Sequence, residues 1–139
     1  MDTFSREFRS ALMARIRGKG NLSTELRLIT IFRAAGIKGW RRHSSLIGRP
    51  DFTFPKQRTT IFVDGCFWHG CPRCQKIAKS NLDYWLPKIS RNQQRDRQVS
   101  RKLRAMGWSV IRIWECQLTE PTRVIARVQS KLRAREAKG

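Results

Sequence analysis

The stretch TTIFVDG, residues 59–65, is rich in β-branched and aromatic residues, and this composition predicts a strand that ends at a glycine. The preceding segment GRPDFTF, residues 48–54, turns at a glycine and a proline and then enters another predicted strand. WSVIRIWE, residues 108–115, predicts a buried strand that contains one arginine. KGWRRHS, residues 38–44, is a candidate edge strand. These segments together predict the strands of one sheet.

Helical patterns surround the predicted strands. Apolar residues at a spacing of four predict a first helix over residues 3–17, and a second is predicted over 24–35. A long helix is predicted over about 82–106 and a last one from 121 to about 135, whereas residues 66–80 are expected to form an irregular loop. The order of these elements predicts an α/β fold, a mixed sheet flanked by helices, in a single domain.

The charge of the chain is strongly positive. Thirty Lys and Arg residues face ten Asp and Glu residues, which gives a formal net charge of +20. Nucleic acid is the expected partner because a polyanion offsets this self-repulsion, and acidic protein or lipid surfaces are the alternative. The sequence shows neither a signal peptide nor an apolar run long enough to span a membrane. The protein is therefore expected inside the cell, with reduced cysteines and no membrane partner.

The four cysteines of the chain form a candidate metal site. Cys71 and Cys74 make a CxxC pair, Cys66 precedes that pair by five residues, and Cys116 ends a strand far along the chain. Four thiolates suit a closed tetrahedral Zn²⁺ site, which would fix the irregular loop to the sheet. Two disulfides, unliganded core cysteines and a redox-active CxxC are the alternatives.

Two carboxylates flank the first predicted hairpin. Asp51 opens one strand and Asp64 closes the next, so antiparallel pairing of the strands would bring both carboxylates to the same end of the sheet. Carboxylates at a strand end hold Mg²⁺, which can activate water and clamp a scissile phosphate. The alternative is that both are turn-forming aspartates.

Three further polar residues are candidates for the same site. His69 follows Asp64 by five residues and is a candidate general base, although a histidine zinc ligand is the alternative. Asp96, on the long helix, is a candidate partner that orients His69, or else a solvated helix charge. Glu25, in the first turn of its helix, is either a further site acid or a residue stabilised by the helix dipole.

Large aromatic residues accompany these polar groups. Phe67 and Trp68 lie between Cys66 and His69, and Trp85 lies at the start of the long helix. Apolar side chains that wedge between base steps can unstack a duplex, so these residues are candidate intercalating groups. A small satellite core beneath the loop is the alternative.

Several motifs of the chain point jointly to one known family. The chain contains, in order, GRPDF, FVDGCFWHGC, SNxDYW, RNxxRDR and GWxVxRxWEC. Together they resemble the very-short-patch-repair (Vsr-type) DNA mismatch endonucleases over about residues 9–118. The resemblance implies a restriction-endonuclease-like fold with a structural zinc, in one endonuclease domain over residues 1–139. It also implies Mg²⁺-dependent nicking of one strand 5′ of the T in a T:G mismatch that arises by deamination of 5-methylcytosine.

The resemblance implies a role for each polar site residue. Asp51 is expected to be the central metal ligand. His69 is expected to act near the attacking water with Asp96 as its partner, and Glu25 to be an accessory acid. Position 64 is histidine in some members, and Asp64 is expected to add a carboxylate to the metal site here.

Two more departures from the best-known pattern concern the metal ligands. Val63 replaces a threonine-like residue, but its backbone carbonyl is still expected to ligate Mg²⁺. Cys71 and Cys74 lie where some relatives use His and Cys, and with Cys66 and Cys116 they still complete a zinc set.

The resemblance also implies the DNA contacts. The aromatic wedge is expected to consist of Phe67, Trp68 and Trp85. Residues 1–20 resemble the N-terminal arm that reaches the other groove, around Met13 and Ile16. The resemblance ends at about residue 118, so it implies no role for the basic helix over residues 119–139.

The expected partners follow from this activity. The substrate would be double-stranded DNA with a T:G mismatch, and a cognate cytosine-5 methyltransferase and other mismatch-repair proteins are further candidates. A monomer is expected because a single-strand nick needs one active site. The expected location is the nucleoid, in the cytoplasm. The alternatives are a related nicking or restriction endonuclease that acts on paired DNA, and a non-catalytic zinc-containing DNA-binding module.

Overall fold

The computed structural model describes residues 24–69, 71–72 and 82–138. The helices are α1 (Thr24–Ala35), α2 (Cys66–His69), α3 (Leu82–Ala105) and α4 (Pro121–Lys138). The strands are β1 (Phe52–Phe54), β2 (Thr59–Asp64) and β3 (Ser109–Trp114), and a 3₁₀ helix, Glu115–Thr119, joins β3 to α4. The predicted helix over residues 3–17 and the predicted arm over residues 1–20 lie outside the described residues.

Strand β2 is the centre of the sheet. It pairs antiparallel with β1, with Phe52 opposite Ile61, and parallel with β3, with Phe62 opposite Arg112. The parallel pair requires a crossover, and the chain makes it through the segment that includes α2 and α3. The prediction of an α/β fold with a mixed sheet flanked by helices is confirmed.

The two faces of the sheet have different characters because side chains alternate along each strand. Ile61, Ile111 and Ile113 point to an apolar face. Helices α1 and α4 cover that face with Leu28, Ile31, Phe32, Val124, Ile125 and Val128, all of them buried. The opposite face carries Phe62 and Arg112, and α3 packs there. The sheet thus buries its hydrophobic core on one side and presents polar groups to α3 on the other.

Glycines end α1 and α3 where the sequence predicts it. Gly36 and Gly107 adopt left-handed φ values of 71° and 91°. In both cases the amide of the residue after the glycine donates to the carbonyl five residues earlier, at 2.9 and 3.0 Å. This is a Schellman arrangement, which satisfies carbonyls that the helix end leaves without partners. None of the helices within the described ranges has both the length and the apolar character that a membrane span requires.

The predicted edge strand over residues 38–44 is wrong. Only Arg41 pairs with the sheet, exchanging backbone hydrogen bonds of 2.8 and 2.9 Å with Thr53. His43 then takes a left-handed φ of 58°, which turns the chain away from an extended path. The next segment turns as predicted, with left-handed φ values of 78° at Gly48 and 49° at Arg49, and enters strand β1 at Phe52.

The predicted loop over residues 66–80 begins with a short helix instead. Cys66–His69 form one turn, α2, in which the His69 amide donates to the Gly65 carbonyl at 3.1 Å. The Cys71 amide then donates to the Cys66 carbonyl at 2.9 Å. This turn brings two thiols and His69 close to the end of β2.

Candidate active site and thiol cluster

Asp51 lies immediately before β1, beside the end of β2. Its Oδ2 accepts a hydrogen bond of 2.7 Å from the backbone amide of Val63. Burial raises the pKa of Asp51, and the hydrogen bond from Val63 counteracts this increase. The negative charges of Glu25 and Asp64 raise the same pKa further. The hairpin therefore gathers carboxylates at one end of the sheet, as antiparallel pairing of β1 and β2 requires.

Asp64, the last residue of β2, forms an ion pair with Arg112 from the neighbouring strand. Both carboxylate oxygens of Asp64 accept hydrogen bonds of 3.1 Å from Nη1 of Arg112. The Asp64 side chain is only 6% exposed. Burial raises the pKa of Asp64, and the positive charge of Arg112 counteracts the increase. A buried carboxylate of this kind needs such a partner to remain charged.

His69 and Asp96 form a side-chain hydrogen bond between α2 and α3. His69 Nδ1 lies 2.5 Å from Asp96 Oδ2 and 4.0 Å from Asp64 Oδ1. Because an ionised carboxylate only accepts, Nδ1 carries the proton and Nε2 of the neutral ring is left as the acceptor. Gln93 on α3 adds a hydrogen bond of 3.2 Å to the His69 carbonyl. Asp96 therefore fixes the orientation of the imidazole ring through Nδ1 and leaves Nε2 available as an acceptor. This arrangement suits a general base.

Arg112 is a site residue to which the sequence analysis assigned no role. The sequence shows an arginine within an otherwise apolar strand, and that is the signal from which it could have been found. The structure surrounds it with Asp64, Asp96 and Ser100, and its guanidinium lies 4.2 Å from the centre of the Phe62 ring. It is therefore part of the acidic site rather than of the hydrophobic core.

A cleft of about 410 Å³ opens on the other side of Asp51. Glu25 lines this cleft, and its Oε1 accepts a hydrogen bond of 2.7 Å from Nε of Arg42. The remaining lining residues are His43, Ser44, Ser45, Arg49, Pro50 and Asp51. The sequence does not indicate that His43 and Arg49 line a cleft. Both residues have left-handed backbone conformations, which a local sequence pattern does not predict for residues other than glycine.

A second groove, of about 440 Å³, runs along α3 beside the acidic site. Its lining residues are Asp96, Arg97, Ser100, Arg101, Arg104 and Arg112. Arg97, Arg101 and Arg104 are exposed and recur at helical spacing, so they form one basic face. A basic groove of this kind attracts polyanions such as the phosphates of a nucleic-acid backbone.

Three thiols meet beside the ends of the two parallel strands. The sulfur atoms of Cys66, Cys71 and Cys116 lie within 4.8 Å of one another. Cys71 Sγ is 3.7 Å from Cys116 Sγ, a distance too long for a disulfide, and the Cys116 amide donates to Cys66 Sγ at 3.3 Å. Convergent, largely buried sulfur atoms without a disulfide form a donor set that fits a thiophilic metal such as zinc. Cys74, the fourth predicted ligand, lies outside the described residues.

The aromatic and N-terminal residues of the prediction are only partly described. The backbones of Phe67 and Trp68 lie in α2, immediately after Cys66, and their side chains lie outside the described part of the structure. Trp85 is half-buried in the first turns of α3, and its ring packs edge-to-face on Tyr84 with centroids 4.9 Å apart. Met13 and Ile16 lie outside the described residues.

Comparison with known proteins identifies the family. The family model for DNA mismatch endonuclease Vsr matches residues 1–76. The chain is 38% identical over 133 residues to the type II nicking enzyme V.XorIIP of Xanthomonas oryzae pv. oryzae, a match that spans 94% of this chain and 96% of that protein. It is 37% identical to the type II nicking enzyme V.NmeDIP of Neisseria meningitidis, over 88% of this chain and 83% of that protein.

A further relative has a name that matches the family. The DNA mismatch endonuclease Vsr of Escherichia coli is 38% identical to this chain over 96 residues, which are 68% of this chain and 61% of that protein. These relatives are named as enzymes that cut DNA. An activity of this kind is consistent with the acidic site, the oriented histidine and the basic groove of this α/β domain. The chain therefore belongs to the Vsr family of DNA mismatch endonucleases, and it is a DNA endonuclease.

Proposed function

We propose that this endonuclease nicks one strand of DNA on the 5′ side of the T in a T:G mismatch, with Mg²⁺ as the catalytic ion. The observation that carries the proposal is the approach of Asp51 to the end of β2, from which the chain leads directly to the His69–Asp96 pair. A metal-binding carboxylate and an oriented base at one strand end are what phosphodiester hydrolysis requires.

The acidic residues provide a chemical fit for Mg²⁺. Burial and the charges of Glu25 and Asp64 disfavour the ionised form of Asp51, and a divalent cation would relieve this repulsion. Asp51 and the Val63 carbonyl would hold the ion, with Asp64 as a further oxygen donor, because each Asp64 oxygen keeps a lone pair beside its bond to Arg112. Bound Mg²⁺ would supply electrostatic stabilisation of the phosphate undergoing attack.

The protein's own groups would manage the proton and the DNA backbone. His69 would accept a proton from the attacking water at Nε2, because Asp96 holds the proton on Nδ1. Asp96 and Asp64 would stabilise the imidazolium that forms, since both carboxylates approach Nδ1. Glu25 would serve as an accessory acid at the cleft, and the basic groove on α3 would contact backbone phosphates.

The thiol cluster and the aromatic residues would support mismatch recognition. Zinc held by Cys66, Cys71 and Cys116, with Cys74 as the fourth ligand, would fix the chain that carries Phe67 and Trp68. The proposed wedge also includes Trp85, and Met13 and Ile16 are proposed to contact the opposite groove. A wedge needs rigid support because a mobile segment would lose its unstacking energy to conformational entropy.

The proposed substrate implies the proposed setting. A T:G pair forms when 5-methylcytosine is deaminated, so a cytosine-5 methyltransferase generates the sites at which the enzyme would act. Other mismatch-repair proteins would share these lesions. We place the enzyme at the nucleoid in the cytoplasm, as a monomer, because its substrate is chromosomal DNA and one nick needs one active site.

A strand-resolved nicking assay tests the proposal. Labelled duplexes would carry T:G or C:G at one position, with randomised flanking bases, and each would be incubated with Mg²⁺ and with wild-type enzyme or Asp51→Asn. We expect cleavage only of the T-containing strand of the mismatched duplex, and we expect Asp51→Asn to abolish it. Glu120→Gln is the matched control, because it also converts a carboxylate to an amide but lies between the 3₁₀ helix and α4, ion-paired to Arg123.

The other outcomes assign the activity differently. Cleavage of the paired C:G duplex at the same rate would reject mismatch specificity and favour a nicking enzyme that reads paired sequence. Tight binding without cleavage of any duplex, in any divalent metal, would reject the proposed catalytic site.

A further inference from the structure

Arg112 occupies the middle of β3. The register pairs Arg112 with Phe62 on β2, so both side chains project from the same face of the sheet. Asp64 lies two residues beyond Phe62 and projects to that face as well. The guanidinium lies over the Phe62 ring, 4.2 Å from its centre, and reaches along β2 towards the Asp64 carboxylate.

The guanidinium makes contacts that a helix-to-sheet anchor alone would not need. Nε donates to Ser100 Oγ at 2.9 Å and Nη2 donates to the Asp96 carbonyl at 3.0 Å, and both acceptors are on α3. Nη1 donates to both oxygens of Asp64 at 3.1 Å and lies 3.7 Å from Asp96 Oδ1. One side chain therefore touches both residues whose carboxylates face His69.

This arrangement fixes two positions at once. The guanidinium is planar and its donors have a rigid geometry, so it sets the distance between the Asp64 carboxylate and the backbone of Asp96. Asp96 Oδ2 lies 2.5 Å and Asp64 Oδ1 lies 4.0 Å from the same nitrogen, His69 Nδ1. A shift of either carboxylate would turn the imidazole ring, and errors of about 1 Å in such positions reduce rates by about 100-fold.

We propose that Arg112 is a positioning residue of the active site, which holds Asp64 and Asp96 in the arrangement that orients His69. The inference rests on the proposed role of His69 as the base. Arg112 acts through Asp64 and Asp96 and does not itself contact the DNA phosphate under attack. Its side chain is 23% exposed, against 6% for Asp64, so the pair is largely shielded from solvent screening.

Single-turnover nicking at saturating enzyme tests this role, on whichever duplex the wild-type enzyme cuts. We expect Arg112→Met to lower the rate constant by about 10- to 100-fold, the range typical for residues that orient a ligand or base from behind. DNA affinity should change by less than about threefold. Arg112→Lys should recover part of the rate, because it restores the charge but not the fork of donors.

Arg135→Met is the matched control. Arg135 also joins separate elements by hydrogen bonds, donating to the carbonyls of Gln57 at 3.0 Å and Gly107 at 2.8 Å, but it lies away from the acidic site. We expect this variant to lose thermal stability while its nicking rate constant stays within about twofold of wild type. A similar loss of rate in both variants would mean that general destabilisation causes the loss in Arg112→Met, and this result would overturn the proposal.

A double variant separates positioning from folding. Arg112→Met leaves Asp64 as a buried charge without its partner, which can impair folding, whereas Asp64→Asn with Arg112→Met removes both charges. If Arg112 acts partly through Asp64, adding Arg112→Met to Asp64→Asn should slow the enzyme by less than Arg112→Met slows the wild type, so the two losses are less than additive. Additive losses of rate would assign Arg112 an independent role and would contradict the inference.

Imidazole NMR provides a readout that does not need catalysis. The chain has two histidines, so the nitrogen-correlated ring spectrum contains two spin systems, and His43→Gln identifies the one from His69. We expect a protected Nδ1–H of His69 in wild type that becomes exchange-broadened in Arg112→Lys and in the double variant. An unchanged signal together with an unchanged rate overturns the proposal. A wild-type enzyme that cuts paired DNA instead of T:G DNA would overturn the proposed substrate but leave this test intact.

Discussion

His69 Nδ1 lies 2.5 Å from Asp96 Oδ2, and this hydrogen bond links the short helix after β2 to the long helix that covers the polar face of the sheet. The two residues are 27 positions apart in the chain. The link leaves His69 Nε2 as the ring acceptor, so it determines which nitrogen can take a proton from water.

Asp96→Asn should lower the nicking rate constant by about 10²- to 10⁴-fold, with little change in DNA affinity. An amide can donate as well as accept, so it no longer fixes the proton on Nδ1. Single-turnover rates would measure the loss. Asp83→Asn, an exposed residue in the first turn of the same helix, is the control and should cut at the wild-type rate. Equal rates for both variants would exclude Asp96 from the catalytic site.

Asp51→Asn should raise the melting temperature of the protein at pH 7 in the absence of added Mg²⁺, although it abolishes nicking. Burial raises the pKa of Asp51, so the ionised carboxylate destabilises the folded state at pH values above that raised pKa. The difference from wild type should shrink as the pH falls through the raised pKa. It should vanish below the pKa of the unfolded chain, about 3.9.

Thermal melts between pH 3 and pH 7 would measure this difference, with Glu120→Gln as the control for loss of one carboxylate. A variant that is less stable than wild type at pH 7 would mean that the hydrogen bond to Val63 outweighs the cost of burial.

Cys116→Ser should lower zinc content and stability together. Structural zinc sites have apparent binding free energies of about 10 kcal/mol or more, so loss of one of the convergent thiols should reduce the free energy of unfolding by several kcal/mol. Metal analysis and melting curves with and without a chelator would measure both effects. The chelator should destabilise wild type but have little further effect on the variant. Full zinc content and an unchanged melting curve in Cys116→Ser would exclude this residue as a ligand.

Phe67→Ala combined with Trp68→Ala should reduce the preference for mismatched DNA more than the affinity for DNA in general. Base stacking on aromatic groups contributes about 1–3 kcal/mol per base, and a wedge gains it only where the duplex opens readily. The ratio of nicking rates on T:G and C:G duplexes would measure the preference. Met106→Ala, an exposed apolar residue just past the far end of α3, is the control. Equal losses on both duplexes would argue against a wedge.

Arg101→Gln should flatten the salt dependence of DNA binding. Each phosphate contact contributes about 0.9 to the slope of log K against log salt concentration, and Arg101 lies in the basic groove beside Asp96. Affinities measured over a range of salt concentrations would give the slope. Arg123→Gln carries the same charge change on a side chain that is 77% exposed on α4, and it should leave the slope close to wild type. The same slope for all three proteins would place the phosphate contacts elsewhere.

Local sequence signals predicted much of this fold. The ends of α1 and α3 followed from Gly36 and Gly107, because a left-handed residue there is a local requirement of the backbone. The strand TTIFVDG and its hairpin partner followed from residue composition. The convergence of Asp51 and Asp64 followed from the hairpin, since antiparallel strands bring the start of one beside the end of the next.

Features that depend on contacts between distant segments were not predictable in the same way. The role of Arg112 depends on the register between β2 and β3, which pairs it with a residue 50 positions earlier in the chain. His43 and Arg49 reach the cleft through left-handed backbone conformations that residues other than glycine rarely adopt. The predicted edge strand was wrong because Gly39 and His43 both take left-handed backbone conformations, with φ values of 88° and 58°, and only Arg41 between them pairs with the sheet.

The pairing of Asp64 with Arg112 makes these two positions one unit for protein engineering. Histidine at position 64 would leave Asp96 Oδ1, at 3.7 Å, as the remaining carboxylate partner of the Arg112 guanidinium, and two cations would meet whenever the new imidazole became protonated. A chimera would therefore have to exchange both positions together, although 47 residues lie between them in the chain. Shuffling of β2 and β3 between family members should yield active enzymes only when the donor of one strand also supplies the other.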